Sequence, residues 1–133
     1  MALLGGYASP EWLHLGLFAR QGSFAGGVSL GTQLLAHDLT VAARWFVPAP
    51  LRGGFLEAGA SVVRLAALSD QTPTDLFGLA FLGLGWQWRG EHWLFELAMG
   101  PPPLQLGNRA FTPLAVLDVT GAPRFRLDLG YAF

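Results

Sequence analysis

The sequence predicts an all-β chain, a closed antiparallel up-and-down transmembrane β-barrel of about eight strands. Of its 133 residues, 52% are hydrophobic and 13% are charged, whereas an ordinary globular protein has roughly 25% charged residues. No apolar run reaches the roughly 18 to 20 residues that a membrane-spanning helix needs; the longest, Leu76–Trp88, stops short. Because a backbone in lipid must satisfy its own hydrogen bonds, a closed barrel is the remaining way across a membrane.

Turn-forming residues divide the chain into segments about as long as a tilted membrane strand, which needs roughly 9 to 11 residues. The turns are predicted at Gln21–Ser23, His37–Asp38, Pro48–Gly54, Ser69–Asp75, Arg89–Glu91, Gly100–Asn108 and Gly121–Pro123. The predicted strands between them are Trp12–Arg20, Phe24–Ala36, Leu39–Val47, Phe55–Leu68, Leu76–Trp88, His92–Met99, Ala110–Thr120 and Arg124–Phe133. Phe55–Leu68 also fits an amphipathic helix, and Leu76–Trp88 is apolar on both faces, so periodicity alone leaves these two open.

The last segment shows the clearest alternation of large apolar residues with charged or small ones. Arg126 and Asp128 share the parity opposite to the apolar residues. A period of two predicts a strand with one face toward lipid and the other toward the barrel interior. The apolar parity consists of Phe125, Leu127, Leu129, Tyr131 and Phe133.

Charged residues of both signs are predicted on the inward parity. An eight-stranded barrel is filled by its own side chains, and buried charges must pair with one another. The sequence therefore predicts an interior salt-bridge network, with a proton path or a narrow gated pore as the functional alternative. The network residues are Arg44, Glu57, Glu96, Arg126 and Asp128, with His14 and His92 as candidate neighbours.

Aromatic residues are predicted at two heights of the barrel, because amphipathic rings prefer the headgroup region of a bilayer. In a soluble barrel the same residues would form a core. Threading the eight segments up and down places Trp45, Trp86, Trp88, Trp93 and Phe125 at one rim, and Phe111, Tyr131 and Phe133 at the other.

The chain is predicted to be a single domain over residues 1–133, since this length supports one core. Residues 1–10 lack the basic region of a complete secretory signal and form either a lead-in, the remnant of a signal, or an extra N-terminal strand. The absence of cysteine excludes disulfides and thiol chemistry. A net charge of −1 with scattered arginines argues against a nucleic-acid partner.

The end of the chain resembles a known signal. Phe133, with Tyr131, Leu129, Leu127 and Phe125 before it at alternate positions, resembles the C-terminal strand that bacterial outer-membrane proteins present to the barrel assembly machinery. With eight segments, the chain is similar in architecture to the small OmpA/OmpX type of barrel. The resemblance implies a monomer in the bacterial outer membrane, in contact with its lipid and lipopolysaccharide, with the assembly machinery as a partner during biogenesis.

One feature departs from that pattern. The connections that would face outward, such as Gln21–Ser23, are short, whereas Ser69–Asp75 and Gly100–Asn108 would face the periplasm. Outer-membrane barrels usually have short periplasmic turns and long outer loops. Either the strand count is off by one or the surface loops are unusually small.

The function predicted from these observations is that of a non-enzymatic outer-membrane barrel with a packed polar interior and a structural or envelope-interaction role. The alternatives are an outer-membrane enzyme that modifies lipid A and a soluble lipocalin-like carrier. No histidine pairs with a serine in a recognisable motif, so no catalytic residue is predicted. The histidines lie on different segments, and neither a metal nor a cofactor is predicted. The residues considered for this chemistry are His14, His37, His92, Ser29 and Ser61.

Overall fold

The computed structural model describes residues 1–9, 13–33, 36–48, 53–65, 76–106 and 123–133. Every regular element within these ranges is a β-strand, so the described chain is all-β, as predicted. The strands are β1 (Ala2–Ser9), β2 (Leu13–Gln21), β3 (Phe24–Gln33), β4 (Ala36–Phe46), β5 (Gly54–Leu65), β6 (Leu76–Arg89), β7 (Trp93–Gly100), β8 (Leu104–Leu106) and β9 (Arg124–Ala132).

The strands form one closed antiparallel sheet. Strands β1 to β7 follow one another around the ring, β9 comes next, and the pairing of β9 with β1 closes it. Strand β8 lies on the same edge of β6 as β7 does. The ring therefore has eight strand positions, which confirms the predicted up-and-down barrel.

The N-terminal residues form one of these eight strands. Strand β1 pairs with β2 on one side and along its whole length with β9 on the other. Of the interpretations left open for residues 1–10, the extra strand is therefore correct over Ala2–Ser9. The predicted strand Ala110–Thr120 lies outside the described residues.

Strands β7 and β8 are two parts of one interrupted strand. Met99 pairs with Leu84, and Leu104 pairs with Ala80, so four residues on one strand face three on β6. The extra residue falls at Gly100–Pro103, where a proline cannot donate a ladder hydrogen bond. The prediction that this segment begins a turn between two strands is wrong, because the chain continues along the same edge of β6 after the bulge.

The two ends of the barrel differ in the length of their connections. Met1 and Phe133 lie together at one end, the terminal end, where the Met1 amino group donates a 3.0 Å hydrogen bond to the Phe133 carbonyl oxygen. The turns after β2, β4 and β6 also lie there. The opposite end, which we call the loop end, contains the strand residues on either side of the two longest gaps between described strands: Leu65, Leu76, Leu106 and Arg124. The threading from the sequence omitted β1, so the directions that it assigned to the strands from β2 to β7 are reversed, whereas the direction of β9 is not.

Each strand directs alternate side chains to the interior of the barrel. In β4 every inward residue is buried and every outward residue is exposed. Interior glycines leave room for rings from neighbouring strands: a Cβ at Gly27 would overlap the Phe18 ring, and one at Gly59 would overlap the Phe81 ring. The interior is therefore filled largely by its own side chains, as expected for eight strands.

Candidate functional site

Glu57 is the centre of a network of charged side chains inside the barrel. Its carboxylate oxygens lie 2.7 Å from Arg44 Nε and 2.8 Å from Arg124 Nη1. Arg126 Nη1 is 2.7 Å away. Arg44 is the register partner of Glu57 on the adjacent strand, whereas the two β9 arginines reach it across the interior. One buried carboxylate thus binds three guanidinium groups.

Glu96 forms the second centre of this network, and its side chain is 0% exposed. It accepts hydrogen bonds from Arg44 Nη1 at 3.0 Å and from Gln87 Nε2 at 2.5 Å. Arg126 Nη2 lies 3.6 Å from its other oxygen. Because Arg44 and Arg126 also contact Glu57, two carboxylates and two guanidinium groups form a closed ring of alternating charge.

The network continues through Asp128 to His14. Arg126 Nε lies 2.9 Å from one Asp128 oxygen, and His14 Nε2 lies 2.6 Å from the other. Gly6 is the register partner of both residues, and a Cβ there would overlap the Asp128 carboxylate. The missing side chain at Gly6 therefore lets Asp128 reach the imidazole.

A second buried polar chain extends from Asp38. The Thr40 hydroxyl donates a 2.7 Å hydrogen bond to Asp38 and lies 2.5 Å from the Ser61 hydroxyl. All three residues are buried. The described contacts of Ser61 include no imidazole that could act as the base of a nucleophilic serine.

Aromatic rings cover the arginines of the network. The Arg44 guanidinium lies 3.8 Å from the centroid of Phe18, and the Arg124 guanidinium lies 3.4 Å from that of Phe81. Such cation–π contacts favour a cation where water is excluded.

The network links four strands of the wall through buried charges. Ion pairs away from water are individually weak stabilisers, but removal of one partner leaves a charge without a counter-ion and is strongly destabilising. The arrangement therefore favours one relative position of β4, β5, β7 and β9.

The interior opens into two cavities at the terminal end. One, of about 300 Å³, extends to Arg44 and Glu96. The other, of about 620 Å³, is bordered by Trp86 and Trp88. We call the region that they share the mouth; its common lining residues are Arg20, Phe46, Gln87 and Arg89.

The structure brings together all five charged residues that the sequence assigned to the interior: Arg44, Glu57, Glu96, Arg126 and Asp128. Sequence reasoning missed Arg124 and Asp38. Arg124 has the same parity as Arg126, so the alternation of the last segment could have assigned it to the interior. Asp38 was assigned to a turn, but β4 begins at Ala36 and directs Asp38 inward.

The three histidines have different surroundings. His14 contacts the network, as its candidate assignment proposed. His92 does not: it is exposed and stacks on Tyr131 at 5.7 Å between ring centroids. His37 lies within β4, not in a turn, and its Nδ1 is 3.1 Å from the Thr32 hydroxyl. Among the described residues, no group of three or more histidine, cysteine, aspartate or glutamate side chains could hold a metal ion.

The predicted aromatic rims need one correction. Trp45, Trp86, Trp88 and Trp93 do lie toward the terminal end, but Tyr131 and Phe133 lie there with them. Trp93 and Tyr131 are register partners with ring centroids 5.6 Å apart. Phe125 lies toward the loop end instead, because β9 pairs directly with β7 and runs antiparallel to it. Phe111 lies outside the described residues.

The predicted C-terminal signal forms the outer face of β9. Its residues Phe125, Leu127, Leu129, Tyr131 and Phe133 are all exposed on the wall or at its end. The strand that carries these residues, β9, pairs with β1 on one side and with β7 on the other.

A search of the described residues found no helix long and apolar enough to cross a membrane. No protein-family model matches the chain, and no curated protein or solved structure is significantly similar to it.

Proposed function

We propose that this chain is an integral β-barrel of a bacterial outer membrane, with a structural or envelope-interaction role and a packed, charged interior. The observation that carries the proposal is the contrast between the two faces of the wall. The inner face holds the paired charges, and the outer face of the described strands is almost entirely apolar.

The outer apolar residues are contiguous across neighbouring strands. Leu15 pairs with Leu30, Leu30 with Leu39, and Leu39 with Val62. Their side chains are 57%, 65%, 50% and 49% exposed, respectively. Soluble monomers rarely expose contiguous apolar patches larger than a few hundred Å². Lipid would solvate such a surface without that penalty.

Aromatic side chains toward the terminal end support a membrane interface at that height. Trp45, Trp88, Trp93 and Tyr131 point outward there with 39%, 49%, 61% and 43% of their surface exposed. Amphipathic rings of this kind favour the headgroup region. The aromatic residues at the loop end are fewer among the described residues.

The connections support one orientation in the membrane. Outer-membrane barrels have short periplasmic turns and longer outer loops. Here the two longest stretches of sequence between described strands follow Leu65 and Leu106, and both of these residues lie at the end opposite Met1 and Phe133. In the proposed orientation the termini face the periplasm, and the last strand is available to the assembly machinery.

The interior favours this proposal over a lipocalin-like carrier. A carrier of apolar ligands needs a mostly apolar cavity, whereas the middle of this barrel holds Glu57, Glu96 and Asp128 with their arginine partners. Two cavities open near the terminal end, and Arg20 and Arg89 line both.

A narrow proton or ion path is a second candidate. The observation that favours it is the unbroken series of contacts from Gln87 through Glu96, Arg126 and Asp128 to His14. Conductance across a planar bilayer tests it. Discrete single-channel steps would support a pore, and their absence at high protein density would leave the structural role.

The main test is the behaviour of the chain with lipid. After folding into phosphatidylcholine vesicles, the protein should migrate differently on a gel before and after boiling. Its tryptophan fluorescence should be quenched more strongly by bromine near the headgroups than by bromine near the bilayer centre. A chain that is monomeric and soluble without detergent, with unchanged gel mobility, would refute the membrane proposal.

The role of the last strand and the enzymatic alternative need separate assays. Phe133→Ser should reduce the amount of folded barrel in bacterial outer membranes, whereas Leu106→Ser, which removes an equally outward apolar residue, should reduce it less.

Incubation with lipid A should leave the lipid mass unchanged. A mass change of one acyl chain would instead establish an enzyme.

A further inference from the structure

The mouth of the barrel contains two arginines that face each other from opposite sides. Arg20 lies on β2 and Arg89 on β6, which are four positions apart in a ring of eight. Both line the two cavities, and their like charges act on one another. Two cations on the wall of one cavity favour an anion between them.

Neither arginine has a carboxylate partner among the described residues. Arg20 Nε donates a 2.9 Å hydrogen bond to the Gly22 carbonyl oxygen, and its Nη1 lies 3.5 Å from the Gln87 side-chain oxygen. The nearest inner carboxylate, Glu96, is already bound by Arg44 and Gln87. The charges of Arg20 and Arg89 are therefore not paired with the carboxylates of the deeper network in the described part of the chain.

Neighbouring side chains hold one of these cations in place and leave space beside it. The Arg20 guanidinium lies 3.8 Å from the centroid of Phe46, and Gln87 extends toward it from the opposite wall. The adjoining cavity of about 620 Å³ is large enough for a small anion and its substituent. Trp86 and Trp88 border it.

From these contacts we infer that the mouth binds a phosphate-bearing anion between Arg20 and Arg89. Guanidinium groups match phosphate oxygens through paired hydrogen bonds, which makes arginine the preferred residue for this chemistry. Trp86 and Trp88 would pack against an apolar substituent. The phosphate can come from a soluble compound or from a lipid headgroup, and only the second source rests on the membrane function proposed above.

The test uses NMR of the arginine side chains in the intact protein. Inorganic phosphate is titrated in an uncharged detergent, with chloride at matched ionic strength as the reference. The Nε–H signals of Arg20 and Arg89 should shift together and saturate with phosphate. Nanodiscs of phosphatidylcholine and phosphatidylglycerol then identify the source, since a shift relative to the uncharged detergent, with no phosphate added, shows that a headgroup reaches the site.

Arg20→Gln and Arg89→Gln should each weaken phosphate binding about tenfold, because each removes a charge-assisted contact. Arg64→Gln is the matched control, since Arg64 is exposed near the loop end and its replacement should leave binding unchanged. Absence of saturation, equal shifts with chloride, or equal weakening by Arg64→Gln would each overturn the inference. If the protein is soluble without detergent, the membrane proposal is refuted, but phosphate binding can still be measured by titration in buffer. The two proposals can therefore be refuted independently.

Discussion

The two faces of β4 carry opposite chemistry although they belong to the same strand, Ala36–Phe46. Its inward residues include Asp38, Thr40 and Arg44, all buried. Its outward residues include Val41 and Trp45, both exposed. In a soluble barrel the apolar face would be covered and the charged face would meet water.

The difference shows that the two faces are stabilised by different means. Inside, charges and hydroxyl groups satisfy one another, and the loss of one leaves its partner unsatisfied. Outside, apolar side chains have few partners within the protein and depend on the surrounding solvent. Substitutions on the inner face should therefore act through electrostatics, and those on the outer face through the free energy of transferring a side chain into the surrounding solvent, which is lipid under the proposed function.

The largest effect is expected at the centre of the inner face. Glu57→Ala removes the carboxylate that contacts Arg44, Arg124 and Arg126, and should destabilise the barrel by about 5 kcal/mol, the upper end for breaking a buried ion pair. Urea unfolding in lipid vesicles measures it. Glu57→Gln, which keeps the shape, should lose most of the same stability.

Glu91→Ala provides the control for this prediction, because Glu91 is an exposed turn residue at the terminal end. It should change the free energy of unfolding by less than about 0.5 kcal/mol. If the Glu57 and Glu91 variants change the free energy of unfolding equally, the inner charges are solvated. The inner face would then not be stabilised by its ion pairs.

A smaller effect is expected for Glu96→Ala, about 3 kcal/mol. Both arginines that Glu96 contacts keep Glu57 as a partner, so the variant leaves each with one counter-ion. Gln87→Ala removes a neutral donor to Glu96 and should cost about 1 kcal/mol. If the Glu96 variant unfolds at the wild-type midpoint, its contacts with the arginines do not contribute to stability.

Much of this comparison could be predicted from the sequence, because a strand has a period of two. Parity alone assigned Arg44, Glu57, Glu96, Arg126 and Asp128 to one face, and the structure places them in contact. Parity could not show which charged side chains contact one another. Those contacts cross the barrel, and they depend on strand order and register.

The strand order was harder to predict for physical reasons. Strand β1 contains Gly5 and Gly6 and no charged residue, so it resembled a lead-in as much as a strand. Pro101–Pro103 reads as a turn, although a bulge accommodates the prolines at the edge of β6. These two errors together misplaced Phe125 and Tyr131. Arg20 at the mouth carries no sequence signal, because only the fold brings Arg89 opposite it.

On the outer face, the effect of a charge should depend on its depth. Val41 lies midway between His37 and Trp45 on the same face of β4. In a bilayer, Val41→Arg should destabilise the barrel by about 2 kcal/mol, whereas His37→Arg near the loop end should cost less than about 1 kcal/mol. Unfolding from vesicles compares the two. Equal effects would contradict the proposed lipid-facing surface.

The smallest effect is expected where the inner face meets the mouth. Arg20 is exposed, lacks a carboxylate partner among the described residues, and is repelled by Arg89. Its replacement by glutamine should therefore change the free energy of unfolding by less than about 1 kcal/mol in phosphate-free buffer. Added phosphate should stabilise the wild type more than this variant, since a ligand stabilises the state that binds it. If Arg20→Gln lowers the free energy of unfolding as much as Glu57→Ala does, Arg20 belongs to the structural network. A small decrease, together with weaker stabilisation by phosphate, would show that Arg20 serves ligand binding and not the packing of the interior.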